Sequence, residues 1–403
     1  MKKICLFLCL VIAVTIHAQN TDNTYKEVTL LQLAQKYKGS DKGYVILDVR
    51  SPGEYLDTIL GGKHAGIGHI KTAINVPIQD LFGKPDAIKQ IEKYKNEDVY
   101  VICSHSYRSR RVSNLLLKNG FSSVNNVKGG MTEWYRNYDE LEPYRNGMLE
   151  VNTGYKNLAA SEFLQKLSSK EPMETICLQS PPSFFFDSLI MNYYPYFPEI
   201  KNTSYYKLSD SLQLLEKAKA ANGKPVVIFA TIGGGTYTIS SWLVEKGVPN
   251  VYNLVGGREA FYEYLSNFQS AKEKDKWLNS KSKIQFYTPM SYCKEQPKNA
   301  VLIDMAHDTS FNQITHGTKL DYKTLKGAIN FPYYKTADDF EKQFSDKSKL
   351  YILLPYDGYT GTLFADALLK KGYRIGWIMG GVERWEWYTN NIPAFTCGDQ
   401  FVK

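Results

Sequence analysis

The chain has 403 residues, of which 43% are hydrophobic and 14% aromatic, enough for ordinary packed cores and too much for a disordered chain. Lys and Arg outnumber Asp and Glu by 49 to 41, a formal net charge of +8. The basic residues are scattered, and Arg110 with Arg111 is the one notable pair beside a candidate site. This distribution speaks for solubility and against a nucleic-acid-binding stripe. At about 100–200 residues per domain, the length predicts two to four domains.

In chain order, Lys2, Lys3, the apolar run over residues 4–16 and the small residue Ala18 predict a secretory signal peptide at 1–18, cleaved before Gln19. The run is too short to span a membrane, so the expectation is export to the periplasm or beyond, with no stable membrane anchor. Cleavage leaves 47 basic against 41 acidic residues. Cys5 and Cys9 fall inside this segment, which leaves Cys103, Cys177, Cys293 and Cys397. None of the four has the close Cys-x-x-Cys spacing of a zinc site, so no metal is expected. Cys177 sits in an apolar strand-like run and reads as core; Cys293 and Cys397 flank the last segment and are a candidate disulfide pair.

Residues 99–109, Val-Tyr-Val-Ile-Cys-Ser-His-Ser-Tyr-Arg-Ser, are the stretch that asks for chemistry. Val99, Val101 and Ile102 predict a buried parallel strand, and Val112, Leu115 and Leu116 fall at helical spacing on one face of a following helix. Cys103 therefore stands at a strand-to-helix junction, where backbone N–H groups lack partners within the helix. Those groups and the helix dipole favour an anion, either the thiolate or a charged group carried on its sulfur. Arg108, five residues on, adds a fixed cation.

Upstream lie Tyr44-Val-Ile-Leu-Asp-Val-Arg50 and Gly68-His-Ile-Lys-Thr-Ala-Ile-Asn-Val-Pro77; downstream lie Lys118-Asn-Gly-Phe121 and Val127-Lys-Gly-Gly-Met-Thr-Glu-Trp134. In that order and spacing, residues 27–140 resemble the rhodanese-like (sulfurtransferase) domain. The resemblance implies a two-step transfer with Cys103 as catalytic nucleophile. A small anionic sulfur donor such as thiosulfate would load Cys103 as a persulfide, and a thiol or cyanide-like acceptor, or an acceptor protein, would collect the sulfur. No metal or organic cofactor is implied. Ser104, His105, Ser106, Tyr107 and Arg108 are the candidate substrate-binding residues, with His105 either steering an anion or facing solvent. Asp48, Arg50, His69 and Ser109 are the supporting ones. Asp48 and Arg50 would brace the loop or form a structural ion pair, His69 would hydrogen-bond near the site, and Ser109 would help start the helix.

Two departures matter. The family often has a glycine in the loop where this chain has Ser106-Tyr107, and the loop is Cys-x4-Arg, one residue shorter than the Cys-x5-Arg of phosphatases. The shorter ring suits sulfur better than phosphate. Residues 56–68, rich in glycine, read as an insertion that forms either a flap or a plain surface loop.

The chain also resembles itself. A shift of 127 residues maps Gly120 and Gly129 onto Gly247 and Gly256, placing Ala230 under Cys103 and Gly235 under Arg108. A shift of 252 places Pro355 and Thr360 there. Neither later segment keeps the thiol or the guanidinium. The predicted fold class is α/β, with three tandem rhodanese-like domains at 25–145, 153–270 and 283–403, each a parallel sheet with helices on both faces. Only the first is equipped for chemistry. The resulting expectation is an exported sulfurtransferase, and the alternative is a non-catalytic binding or assembly module with a redox-sensitive Cys103.

Overall fold

The computed structural model describes residues 24–37, 43–58, 66–84, 86–136, 138–178, 197–231, 236–279, 283–307, 314–315, 318–319, 323–355, 361–391 and 395–402. The signal-peptide reading at 1–18, most of the insertion at 56–68, Gly235 and Thr360 fall outside them. The first segment runs β1 (Lys26–Val28), α1 (Leu30–Lys36), β2 (Tyr44–Asp48), α2 (Pro52–Tyr55), β3 (His69–Ile70), β4 (Ile74–Asn75), α3 (Ile78–Gly83), β5 (Asp98–Ile102), α4 (Tyr107–Lys118), β6 (Ser123–Val127), α5 (Glu133–Arg136), α6 (Tyr138–Met148) and β7 (Leu149–Glu150). β2 and β5 are near-continuous apolar runs, the pattern of strands covered on both faces, and they pair in parallel from Tyr44 with Asp98 to Asp48 with Ile102. The five-stranded sheet has the order β1-β6-β5-β2-β4, so the strand that ends at Cys103 lies at its centre.

The same topology occurs twice more. Parallel strands 156–158, 251–254, 226–229, 174–178 and 204–206 form the second sheet, and 285–287, 374–378, 350–354, 300–304 and 329–330 the third. Helices flank all three sheets, giving the α/β class of three parallel sheets. The repeat register is visible in one recurring bond. In the first segment the N–H of Met131 donates to the Cys103 carbonyl at 2.8 Å. In the second the Arg258 N–H meets the Ala230 carbonyl at 2.9 Å, and in the third the Val382 N–H meets the Pro355 carbonyl at 3.0 Å. Trp134, Phe261 and Trp385, each fully buried, follow these closing turns.

The cores are shared between neighbouring sheets. Because side chains alternate along a strand, Val99 and Val101 of β5 face one apolar cluster with Val112 and Leu116, while Tyr100 and Ile102 face another with Trp134. That second cluster continues into Ile176, Leu178, Val226 and Ile228 of the middle sheet. The opposite face of the middle sheet, with Cys177, Val227 and Phe229, joins Phe286, Tyr351, Leu353 and Trp377 of the third. Residues 143–153, a polar stretch in the sequence, carry the end of α6 and then β7, which pairs antiparallel with β3. A disulfide links Cys293 and Cys397, whereas Cys103 and Cys177 are free and buried.

Candidate active site

β5 ends at Ile102, the chain turns through residues 103–106, and α4 begins at Tyr107. The turn requires one left-handed residue, and Ser106 supplies it with φ 76°. A side chain there costs about 1 kcal/mol relative to glycine. The Ser106 hydroxyl offsets part of that by donating to the Val127 carbonyl at 3.0 Å. The glycine expected in this loop thus has a physical counterpart, a left-handed position that this chain fills with serine.

The loop is fixed from behind by the closing turn. Besides the Met131 bond, the Thr132 N–H and hydroxyl both donate to the Ser104 carbonyl, at 3.2 and 3.1 Å. Gly129 and Gly130 adopt φ 68° and 63° to bring these groups round. A Cβ on Gly130 would lie 2.2 Å from the Cys103 carbonyl oxygen and 2.6 Å from the Ser104 carbonyl, so only glycine fits. With their carbonyls engaged backwards, residues 104–108 are left with N–H groups for which no acceptor occurs among the described residues. They are the donors that an anion on the Cys103 sulfur needs.

Cys103 is 1% exposed at the floor of this loop. Its thiol donates to the Ser109 hydroxyl at 3.5 Å, and that hydroxyl lies 2.5 Å from Asn126 Oδ1 and 3.0 Å from the Ser106 carbonyl. Asn126 in turn donates to Glu27 Oε2 at 2.7 Å, and the other oxygen of Glu27 pairs with Arg110 at 3.3 Å. Ser109 therefore belongs to the floor under the sulfur; its hydroxyl does not cap the helix.

Arg108 is held by a residue that sequence reasoning passed over. Its Nη1 and Nη2 reach the two carboxylate oxygens of Glu54 at 2.6 and 2.7 Å, and Nη2 also donates to the Ser104 hydroxyl at 2.6 Å. Ser104 closes the triangle by donating to Glu54 Oε1 at 3.0 Å. Glu54 is placed by a capping box: Ser51 Oγ accepts from the Glu54 N–H, and the Glu54 carboxylate accepts from the Ser51 N–H at 3.1 Å. Burial alone would raise its pKa, but the hydrogen bonds and charge of Arg108 prevail and hold it at about 2. The signal was legible as Ser51-x-x-Glu54 at the start of a helix, without saying what else the carboxylate meets.

Asp48 and Arg50 form a fully buried pair at 2.6 Å, and Arg50 Nη2 also donates to the Gly68 carbonyl at 2.8 Å. Neither is bonded to the loop, so the pair joins the end of β2 to the start of β3. His69 is buried against the Tyr55 ring at 4.0 Å between centroids and lies 3.9 Å from Glu150. It packs at the seam with β7 and makes no hydrogen bond to the Cys103 loop. His105 and Tyr107 are exposed at the mouth, Tyr107 by 72%. Among the described residues no group of three His, Cys, Asp or Glu side chains comes together as a metal site, and no helix is long and apolar enough to cross a membrane.

Known proteins share this segment. The family model for the rhodanese-like domain matches residues 30–137. A tRNA uridine(34) hydroxylase from Buchnera aphidicola is 30% identical over 135 residues, 32% of this chain and 37% of that protein. The adenylyltransferase and sulfurtransferase UBA4 of Meyerozyma guilliermondii is 28% identical over 104 residues, 25% of this chain and 22% of that one. The chain thus spans well under half the length of these two curated relatives. A solved rhodanese-like domain protein from Staphylococcus aureus shows 30% identity over 27% of this chain and 90% of its own, with a TM-score of 0.22. The strand, loop and closing turn built around Cys103 all lie inside residues 30–137, the stretch that matches the rhodanese-like domain family.

Proposed function

We propose that the protein is a sulfurtransferase that carries sulfane sulfur on Cys103. The observation that carries this reading is the loop itself, a free buried cysteine followed by residues 104–108, whose N–H groups have no acceptor among the described residues. In the first half-reaction the Cys103 thiolate attacks the outer sulfur of a donor such as thiosulfate. The donor S–S bond breaks, sulfite leaves with the electron pair, and Cys103 becomes a persulfide. The added sulfur stands about 2 Å further towards the mouth, which brings the reactive atom within reach of an acceptor although Cys103 is buried. A thiol, cyanide or a thiol on an acceptor protein then attacks that sulfur and releases the Cys103 thiolate. The loop amides hold the negative charge in both states. The name of the UBA4 relative supports sulfur transfer for the matched segment.

Export to the periplasm or beyond forms part of the proposal. It is supported by the leader pattern at 1–18 and by the Cys293–Cys397 disulfide, a crosslink that persists in oxidising compartments. The competing reading, a binding module with a redox-sensitive thiol, draws on the two sheets that hold Ala230 and Pro355 where the first holds Cys103. Intact mass of the mature protein after incubation with thiosulfate or a small persulfide separates the two. A gain of about 32 Da, one sulfur atom, that needs Cys103 and disappears with cyanide is the expected result. A reduced, accessible Cys103 that forms only mixed disulfides would refute the enzyme.

A further inference from the structure

The closing turn that fixes the Cys103 loop leads straight into a pocket built by all three segments. Thr132 donates to the Ser104 carbonyl, and Arg136 stands about one helical turn further along the chain. Arg136 lines this narrow, partly open pocket with Glu263 of the second segment and Arg384, Trp387 and Tyr388 of the third. His105, exposed at the loop mouth, is nonetheless enclosed by protein, as a residue lining a cleft is. That enclosure, then the charges of Arg136, Arg108 and Arg384, push its imidazole down to about 4. Coulomb coupling fades with distance, so the guanidinium of Arg136 and the loop mouth share one space.

The charges in the pocket do not cancel. Arg384 is matched by Glu263 at 2.6 Å, and the Tyr388 hydroxyl also donates to Glu263. The Arg136 guanidinium has neither an ion-pair nor a hydrogen-bond partner among the described residues. Glu133, on the same helix, does not neutralise it: burial, against the charges of Arg384 and Arg136, raises that carboxyl to about 7, so about half of it is protonated at neutral pH. Arg384 lies over the Trp387 ring at 3.9 Å, which gives the pocket an apolar wall and strengthens the field of an unmatched cation beside it. A guanidinium with open donors in a narrow pocket suits a carboxylate, which it can take by two parallel hydrogen bonds. The sulfur carried on Cys103 points to the mouth, so the nucleophile that collects it reacts beside this pocket.

Resting on the sulfurtransferase reading, we infer that Arg136 and the three-segment pocket form a carboxylate subsite that positions the sulfur acceptor, a small thiol bearing a carboxylate a few bonds from its sulfur. The step balances without an external oxidant. The acceptor thiolate R–S⁻ forms a bond to the outer sulfur of the Cys103 persulfide, and the Cys103 S–S bond breaks. Cys103 leaves as the thiolate with the electron pair, and the acceptor departs as R–S–S–H. The two segments without a thiol then serve the reaction by supplying the far walls of the acceptor's site.

The test is the second-order rate at which the full chain, loaded with one sulfur on Cys103, discharges to 3-mercaptopropanoate and to its uncharged amide, each rate taken per thiolate and read by quenched intact mass. The wild type is expected to discharge about tenfold faster to the acid. Arg136→Gln should bring the acid down to the amide's rate while changing the amide rate less than about threefold. Arg111→Gln removes one positive charge near the loop but outside the pocket and should keep the preference. Propanoate added to the wild type should erase the acid's advantage, which decides the matter if Arg136→Gln does not fold. Equal wild-type rates for acid and amide, an Arg136→Gln loss equal for both, an Arg111→Gln loss as large as that of Arg136→Gln, or indifference to propanoate would each overturn the subsite. A Cys103 that never loads, or a persulfide that passes to neither thiol, would refute the sulfurtransferase reading itself.

Discussion

Replacing Gly130 by alanine should cripple the loop without touching any side chain that carries chemistry. The added Cβ would stand 2.2 Å from the Cys103 carbonyl oxygen and 2.6 Å from the Ser104 carbonyl carbon and oxygen. Ordinary contact there needs more than 3 Å, so loop and turn must part by about 1 Å, and a displacement of that size costs roughly a hundredfold in rate at a reacting centre. The φ of 63° adds about 1 kcal/mol of backbone strain for a non-glycine residue. The bonds from Met131 and Thr132 to the loop carbonyls weaken as the two parts separate, at about 1 kcal/mol each. Gly130→Ala is therefore expected to lose about 3 kcal/mol of stability and about 99% of the Cys103 loading rate. Chemical denaturation and quenched-flow mass measurement read the two effects. Gly120→Ala is the control: its φ is 83° but a Cβ there meets nothing within 4 Å, so it should cost about 1 kcal/mol and leave loading unchanged. If Gly130→Ala loads within about threefold of wild type, the closing turn does not position the loop and the argument fails.

Ser106 is strained but hydrogen-bonded, so its two smallest replacements should separate. Ser106→Gly relieves about 1 kcal/mol and loses a bond of similar worth, for little net change, whereas Ser106→Ala keeps the strain and costs about 1 kcal/mol; equal losses in denaturation would contradict the strain. Burial raises the Glu133 carboxyl to about 7, so the unfolded chain gives up that proton first and the fold loses stability as pH rises from about 4.5 to 7. Glu133→Gln should consequently gain on wild type by about 1–3 kcal/mol between pH 5 and pH 8, and a pH-independent difference would exclude this account. Cys293→Ser opens a crosslink between residues 104 apart and should cost about 2–4 kcal/mol while Cys103 still loads; an unchanged denaturation midpoint would refute it.

The sequence made the strand, the loop and the helix around Cys103 legible because each is local. An apolar run, a cysteine and a helical face follow one another within 18 residues, from Val99 to Leu116. Asp48 and Arg50 were legible as a pair for the same reason. Glu54 was not. Its partner lies 54 residues away in the chain, and nothing local distinguishes a carboxylate that caps a helix from one that also clamps an arginine. Ser109 shows the converse, since its position suggested capping, yet the turn aims its hydroxyl at the sulfur and at Asn126. Ser106 was noticed only as a departure from a glycine, and its left-handed backbone is what gives that departure meaning.

The interleaved cores make the unequipped segments part of the stability of the equipped one. The apolar face carrying Ile102 and Trp134 is closed by Ile176 and Val226, and the reverse of that middle sheet is closed by Tyr351 and Trp377. A chain cut after the first or second sheet would turn a dry interior face into a wet outer one. The three sheets should therefore unfold as one cooperative transition, and a protease that nicks a connection would not release an autonomous sulfur-carrying module. The thiol is local to one loop, while the free energy that keeps the loop in shape is spread over the whole stack.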